Sequence, residues 1–185
     1  TLSGTLYISS LNAETNPIWV YANKYFDLKK AIGRADHGLV STCSASDLNC
    51  LPQSSVNYIF TDPPFGSNLM YSELNYIWES WLKIITNNKS EAIQNNSQNK
   101  TLFEYQSIMT SCYEEYYRIL KPGRWMTVEF HNSKNSVWNS IQEALQVAGF
   151  VIADVRTLDK QQGSFKQVTA SSAVKQDLII SCYKP

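Results

Sequence analysis

The residues Thr61-Asp62-Pro63-Pro64-Phe65-Gly66 bring together side chains suited to one narrow chemistry. The Asp62 carboxylate can accept a hydrogen bond from an exocyclic amino group. Pro63 and Pro64 stiffen the loop and supply carbonyls but no N–H donors. A second carbonyl can therefore face the same amino group. Phe65 offers a face on which a planar base can stack. The apolar run Val56-Asn57-Tyr58-Ile59-Phe60 comes directly before Thr61. The carboxylate thus stands at the C-terminal tip of a predicted buried strand, where open α/β sheets bind ligands. An isolated Asp-Pro-Pro would read as a turn starter. The strand before it, the aromatic ring and glycine after it, and the polar segment beyond turn the reading towards a binding loop.

Several elements must position this loop. Thr5-Leu6-Tyr7-Ile8 reads as a strand. Asn16-Pro17 starts a helix, since proline suits the first helical position. Ile18, Tyr21, Tyr25, Leu28 and Ile32 recur at helical spacing, and Gly33 can end the helix. Residues 38–43 read as a short strand, 44–51 as a turn or short helix, and 56–61 as the strand leading into the motif. Residues 71–85 read as a helix whose Leu74, Ile77, Trp78, Trp81, Leu82 and Ile85 form an apolar stripe expected in the core. The segment 87–100 is polar and low in complexity, and is expected as a mobile surface loop within the domain. Residues 103–120 form a further helix, and Lys121-Pro122-Gly123 a turn. Then come a strand at 125–130, a helix at 137–148, a strand at 150–156, a loop at 159–175 and a last strand at 178–183. Helices alternating with apolar strands argue for an α/β fold with a mainly parallel sheet covered on both faces.

Composition narrows the class. The 185 residues suit one domain, 1–185, able to bury a proper core. Hydrophobic residues make up 43% and charged residues 17%, which is globular rather than disordered. The formal net charge is zero, so a global positive field does not hold nucleic acid, and a local basic patch or partner region must. Cys43, Cys50, Cys112 and Cys182 show no metal-ligand spacing, and only His37 and His131 could assist them, so no metal site is expected. Cysteines on apolar runs read as small core residues of a reducing compartment. No signal peptide or membrane-spanning apolar run is visible, and the cytoplasm is the expected location.

Asp62-Pro63-Pro64-Phe65 resembles the catalytic motif of the amino-group methyltransferases that use S-adenosylmethionine. The longer stretch TDPPFGSNLMYSELNYIWESWL, residues 61–82, resembles bacterial DNA methylases of the N6-adenine/N4-cytosine type. The segments RILKPGRWMTVEFHN (118–132) and GSFKQVTASSAVKQDLIISCYKP (163–185) are similar to the same family. The resemblance covers most of the chain from about residue 38 onward and is most specific around Asp62.

The resemblance implies a Rossmann-like methyltransferase sheet, mainly parallel, with helices on both faces and an antiparallel last strand. It implies transfer of a methyl group from S-adenosyl-L-methionine to the exocyclic amino group of a base in double-stranded DNA. An aspartate at the first motif position leans towards adenine N6, whereas family members acting on cytosine more often carry serine. In that chemistry Asp62 and the Pro63 carbonyl accept the two N–H bonds of the amine. The nitrogen lone pair then points at the methyl group, and transfer is an in-line displacement at the sulfonium carbon. Positioning supplies most of the rate, without a covalent enzyme intermediate. Phe65 stacks on the flipped base.

By the same resemblance Gly66, Ser67 and Asn68 form the loop past the motif, with glycine allowing close backbone approach. Tyr71, Ser72 and Glu73 either line the substrate side or form a helix N-terminus capped by Ser67 or Asn68 with Glu73 exposed. Ser44 and Asp47 follow the preceding strand, where the family contacts the cofactor's adenine. Many relatives carry an acidic residue near Ser44 and this chain does not; Asp47 reads alternatively as a cap. Glu129 and His131 end another strand near the same edge, where a lone histidine is more often structural or solvated than a base. Lys160, Lys166 and Lys175 flank a polar loop, solvated by default and phosphate-contacting as the alternative.

One family feature is missing. Relatives wrap the cofactor in a glycine-rich loop and hold its ribose with an acidic residue, but no two of the seven glycines here lie within a G-x-G. The expectation is therefore a catalytic half of a longer parent protein, an incomplete sheet whose partners are DNA and the remaining part of that parent. Two other readings stay open. One is an RNA guanine-N2 methyltransferase, which uses a similar motif. The other is a non-catalytic nucleic-acid-binding module with a relic base pocket.

Overall fold

Met126, Val128 and Phe130 alternate along β2 (Leu120–Phe130), and all three are buried. This period of two turns one face of β2 onto the core. β1 (Val56–Thr61) pairs with β2 in parallel, with Thr61 opposite Val128. β4 (Gln176–Tyr183) pairs antiparallel on the other side of β2, and β3 (Val151–Asp159) pairs antiparallel with β4. The order is β1-β2-β4-β3. β1, β2 and β3 therefore run in one direction and the last strand runs against them, as expected from the sequence. The computed structural model describes residues 16–32, 38–67, 69–131, 134–159 and 176–185. The described residues from Cys43 onward form one compact unit, and those up to Thr42 another.

The core lies between the sheet and two helices. α3 (Leu102–Ile119) contributes Tyr105, Met109 and Tyr113, and α4 (Asn135–Val147) contributes Val137, Ile141, Ala144 and Leu145. These pack on Met126, Val128, Phe130, Ile180 and Cys182. Thr101 and Glu104 start α3 with a reciprocal cap: Phe103 N donates to Thr101 Oγ1 at 3.2 Å, and Thr101 N donates to Glu104 Oε2 at 2.7 Å. α4 ends at Gly149, whose φ of +99° suits glycine, and a Cβ there would meet the Tyr117 ring at 3.1 Å. On the opposite face of the sheet Tyr58, Phe60 and Trp125 are exposed, at 53%, 59% and 46%. The expected turn at Lys121-Pro122-Gly123 is a bulge inside β2, pinned where Gly123 N donates to the Lys184 carbonyl at 2.8 Å. Lys184 Nζ in turn donates to the carbonyls of Tyr117 and Leu120 at 2.7 and 2.9 Å.

Other expectations need correction. The helix expected at 71–85 is α2 (Tyr71–Leu82), but its apolar stripe is not core. Trp78 is 72% exposed and Trp81 83%, and Ile77, Leu82 and Ile85 are exposed with them. The helical period was sound, but periodicity does not say what covers the stripe, and no described residue of this unit does. Residues 38–43 form no strand: Leu39 and Val40 are exposed, and among the described residues no strand pairs with them. A lone extended segment has no ladder to satisfy its N–H and C=O groups. Cys112 and Cys182 are buried as expected, whereas Cys43 and Cys50 are exposed. Burial pushes the Cys112 thiol up to about 11 and Cys182 to about 12, which leaves both unreactive. The helix starting at Asn16-Pro17 is α1 (Pro17–Ile32), and 44–51 is a series of turns. The predicted strand at Thr5-Ile8, the cap at Gly33 and the loop with Lys160, Lys166 and Lys175 lie outside the described residues.

The turn segment after Ser44 is clamped onto α3. Arg118 Nη1 donates to the Leu51 carbonyl at 3.0 Å and Nη2 to the Leu48 carbonyl at 2.9 Å. Leu48 N donates to Glu115 Oε2 at 2.7 Å, and the Arg118 Nε–Glu115 Oε1 pair closes at 2.8 Å. The Arg118 hydrogen bond, then the Leu48 N–H, hold the Glu115 carboxyl at about 2 against an ordinary 4.5. A lowered folded value means stabilisation that is full above the ordinary value and lost as pH falls towards the folded one. The urea midpoint of the native chain should therefore fall between about pH 5 and about pH 2, and Glu115→Gln should flatten that fall. Parallel midpoint–pH curves for the two proteins would contradict the assignment.

Candidate active site at the tip of β1

β1 and β2 end side by side, so Asp62 and His131 leave the sheet at the same edge. Asp62 is exposed, Pro63 is buried and Phe65 is half-buried. The loop is anchored by carbonyls. Tyr105 Oη, from the first turns of α3, donates to the Pro64 carbonyl at 2.6 Å. Tyr105 is fully buried, and burial keeps its phenol well above the ordinary value, so it stays a neutral donor. Gly66 takes φ +72°, the left-handed region where glycine is favoured, and its carbonyl accepts from Gln94 N at 3.2 Å. The Phe65 ring packs edge-on against Phe130, with centroids 5.6 Å apart, and lies 5.9 Å from the His131 ring. His131 Nδ1 is paired with the carboxylate of Asp177, a buried residue at the start of β4.

Tyr71 stands beside Asp62. Its phenol is raised first by burial, then by the charges of Asp62 and Glu91. It therefore remains protonated and able to donate. α2 begins at Tyr71, and its cap is neither Ser67 nor Asn68. Met70 is the N-cap and makes no side-chain capping bond; its Sδ instead accepts from Asn95 Nδ2 at 3.4 Å. Glu91 serves instead, accepting from Ser72 N at 3.0 Å and from Ser72 Oγ at 2.6 Å. A carboxylate at a helix start satisfies orphan N–H groups and complements the helix dipole. Glu73 accepts from Asn95 Nδ2 at 3.3 Å.

The structure thus gathers Asp62, Pro63, Pro64, Phe65, Gly66 and Tyr71 around one loop, with Ser67 exposed at its outer end. Asn68 lies outside the described residues. Ser44 and Asp47 form their own turn: Asp47 N donates to the Ser44 carbonyl at 3.1 Å, and Ser44 Oγ lies 2.8 Å from Ser46 Oγ. Asp47 Oδ1 accepts from Asn49 N at 3.4 Å, which is the cap-like alternative. Their link to the rest of the unit runs through Leu48, Glu115 and Arg118. Sequence reasoning missed Tyr105, Glu91 and Asp177. Each is distant in sequence from the motif, and no short-range signal marks it.

The Tyr105 hydroxyl gives a direct test of the anchor. Tyr105→Phe leaves the Pro64 carbonyl unpaired and should cost ~1–3 kcal/mol by urea denaturation. An unchanged stability would show that the loop does not depend on this bond.

Comparisons with known proteins place the chain in a family. The family model of the N6/N4 methyltransferases, described as DNA methylase, matches residues 56–185. Among curated proteins no relative matches. Solved structures are similar to the chain at low identity. A protein of Thermus thermophilus titled a DNA modification methylase, complexed with S-adenosyl-L-methionine, is 15% identical with a TM-score of 0.46, over 78% of this chain and 54% of that one. PvuII DNA methyltransferase, titled cytosine-N4-specific, is 14% identical with a TM-score of 0.49, over 75% of this chain and 45% of that one. The [4+2]-cyclase SpnF is 14% identical with a TM-score of 0.49, over 86% of this chain and 61% of that one. The chain spans about half the length of the methylase structures it matches. The family match covers well over half of the chain and includes the Asp62 motif, β2, α4 and both last strands, and the chain belongs to the DNA methylase family.

Proposed function

We propose that this chain supplies the base-accepting half of an enzyme that methylates an exocyclic amino group in double-stranded DNA, adenine N6 before cytosine N4. S-adenosyl-L-methionine is the methyl donor, and a flipped base is the acceptor. The observation that carries this reading is the loop anchor. With the Pro64 carbonyl occupied by Tyr105, Asp62 and the Pro63 carbonyl are the acceptors assigned to the amino group.

An exocyclic amine is a poor nucleophile because its lone pair is delocalised into the ring. Two acceptors on its two N–H bonds favour a more tetrahedral nitrogen and turn the lone pair away from them. Asp62 Oδ is also placed to take the proton that the nitrogen must lose once it carries a methyl group. Tyr71, held neutral by burial and by the nearby charges of Asp62 and Glu91, keeps a donor on the Asp62 side of the loop. Phe65 presents a ring to the extruded base, and its packing on Phe130 fixes that ring's tilt.

The residues fit the amine side better than the donor side. S-adenosyl-L-methionine would supply an electrophilic methyl group, and Ser44 and Asp47 are the assigned contacts to its adenine. Their side chains are engaged within their own turn, and the sequence holds no glycine-rich cradle. Among the described residues β1 pairs on one side only, with β2. An open edge flanked by exposed Tyr58 and Phe60 asks for cover. We assign that cover, and the missing cradle, to the remaining part of a longer parent protein.

Two measurements test this reading. Calorimetric titration of the folded chain with S-adenosyl-L-methionine should show no micromolar binding; such binding would mean the cofactor pocket is complete without a further segment. At millimolar donor, labelled methyl should pass to duplex DNA carrying adenine, and Asp62→Ala should lower the rate at least about a hundredfold. Transfer to structured RNA in place of DNA, or activity that survives Asp62→Ala, would overturn the assignment.

A further inference from the structure

The polar segment between α2 and α3 is tied to the motif loop through the Gln94 N–H, in a place that methyl transfer leaves unused. Its composition suggests a plain loop, but Ala92 and Ile93 are buried and two short 3-10 turns, Asn88–Ser90 and Asn96–Gln98, shape it. Lys100 is buried and its Nζ donates to the carbonyls of Asn88 and Glu91 at 2.5 and 2.6 Å. Asn95 bridges to Lys100 through the backbone. Asn95 Oδ1 accepts from Ser97 N at 2.9 Å and from Ser97 Oγ at 2.6 Å, so this side chain is consumed in holding the turn. Gln94 N holds the Gly66 carbonyl.

Gln98 Oε1 is likewise buried without a partner but borders a different cleft, and beside the motif loop two amides remain with functional groups to spare. The Asn96 side chain is exposed. The Gln94 Oε1 atom is buried and accepts no hydrogen bond. A buried unpaired acceptor is costly and is kept in few places in native proteins. Both residues border a polar cleft of about 450 Å³ that opens beside the motif loop, with Ser67 and Glu73 on its walls. Glu73 and Lys134 bring opposite charges to its walls, and the unpaired Gln94 carbonyl calls for a hydrogen-bond donor. A neutral group that carries a donor beside an acceptor suits it.

We propose that Gln94 and Asn96 read an adenine next to the extruded base in the DNA. This rests on the function proposed above and adds to it a site that determines sequence preference. A carboxamide presents an acceptor and a donor side by side, which matches the N6 amino group and N7 of adenine. The Gln94 carbonyl gains the donor it lacks, and the Gly66–Gln94 bond ties the reading site to the loop that holds the target base. The cost of the unpaired carbonyl in the free protein is then recovered on binding.

The test is selection of duplexes bound by the full 185-residue chain from a pool randomised around one methylatable base. The native chain should enrich adenine at one neighbouring position by about tenfold or more. Asn96→Ala and Gln94→Leu should each erase that enrichment, with affinity for the unselected pool lowered no more than about threefold. Gln94→Leu keeps the shape and removes the unpaired acceptor, so it should melt at the same temperature or higher. Asp62→Ala should keep the neighbour preference. An enrichment unchanged in both amide variants, or a change in which base is methylated, overturns the reading site and leaves the proposed function standing. Failure of the native chain to bind any duplex would overturn both.

Discussion

Two adjacent prolines cannot be held by their own N–H groups, so the motif loop is fixed by what its carbonyls accept. That constraint organises the unit. The Pro64 carbonyl takes the Tyr105 hydroxyl, and the Gly66 carbonyl takes the Gln94 N–H. Tyr105 is placed by α3, which is placed by its reciprocal Thr101–Glu104 cap and by the core it shares with α4 and β2. Gln94 is placed by the buried Lys100 clamp. The parallel pairing of β1 with β2 then sets where Asp62 emerges relative to His131. An acidic side chain at a sheet edge is common; an acidic side chain whose following backbone is held at two carbonyls from two directions is pre-organised.

The electrostatics around Asp62 follow from the same packing. Tyr71 is partly buried and feels the charges of two carboxylates, Asp62 and Glu91, so its phenol keeps its proton. Glu91 is not spent on catalysis. It caps α2, whose own N-cap residue, Met70, has no polar side chain to do so. The segment between α2 and α3 therefore does three jobs through three residues. Glu91 caps, Gln94 anchors the motif loop, and Lys100 ties the segment together.

Much of this could be read from the residues before any coordinates. The alternation in 125–130 and the apolar run before Asp62 are strand signals with a single sensible reading, and both strands formed. Pro17 at a helix start and the apolar residues of 137–148 were equally direct. The family resemblance implied a last strand running against the others, and β4 does. What could not be read was long-range pairing. Nothing near Pro64 announces Tyr105, and nothing near His131 announces Asp177. The Trp78 and Trp81 stripe carried the right period for a helix, yet burial depends on a partner surface that periodicity does not encode. Residues 38–43 have strand-forming side chains, but a strand exists only beside another strand. The polar segment 87–100 hid its buried Ile93 and Lys100 behind a composition typical of loops.

The central claim is that Asp62 and the Pro63 carbonyl together receive the amino group of an extruded base. A crystal structure of the chain bound to a duplex with a mismatched adenine tests it most directly, because a mismatch lowers the cost of extrusion. The account predicts the adenine outside the helix, its N6 about 3 Å from both the Asp62 carboxylate and the Pro63 carbonyl, and its ring against Phe65. A bound duplex whose adenine stays stacked, or whose amino group faces away from Asp62, would contradict it.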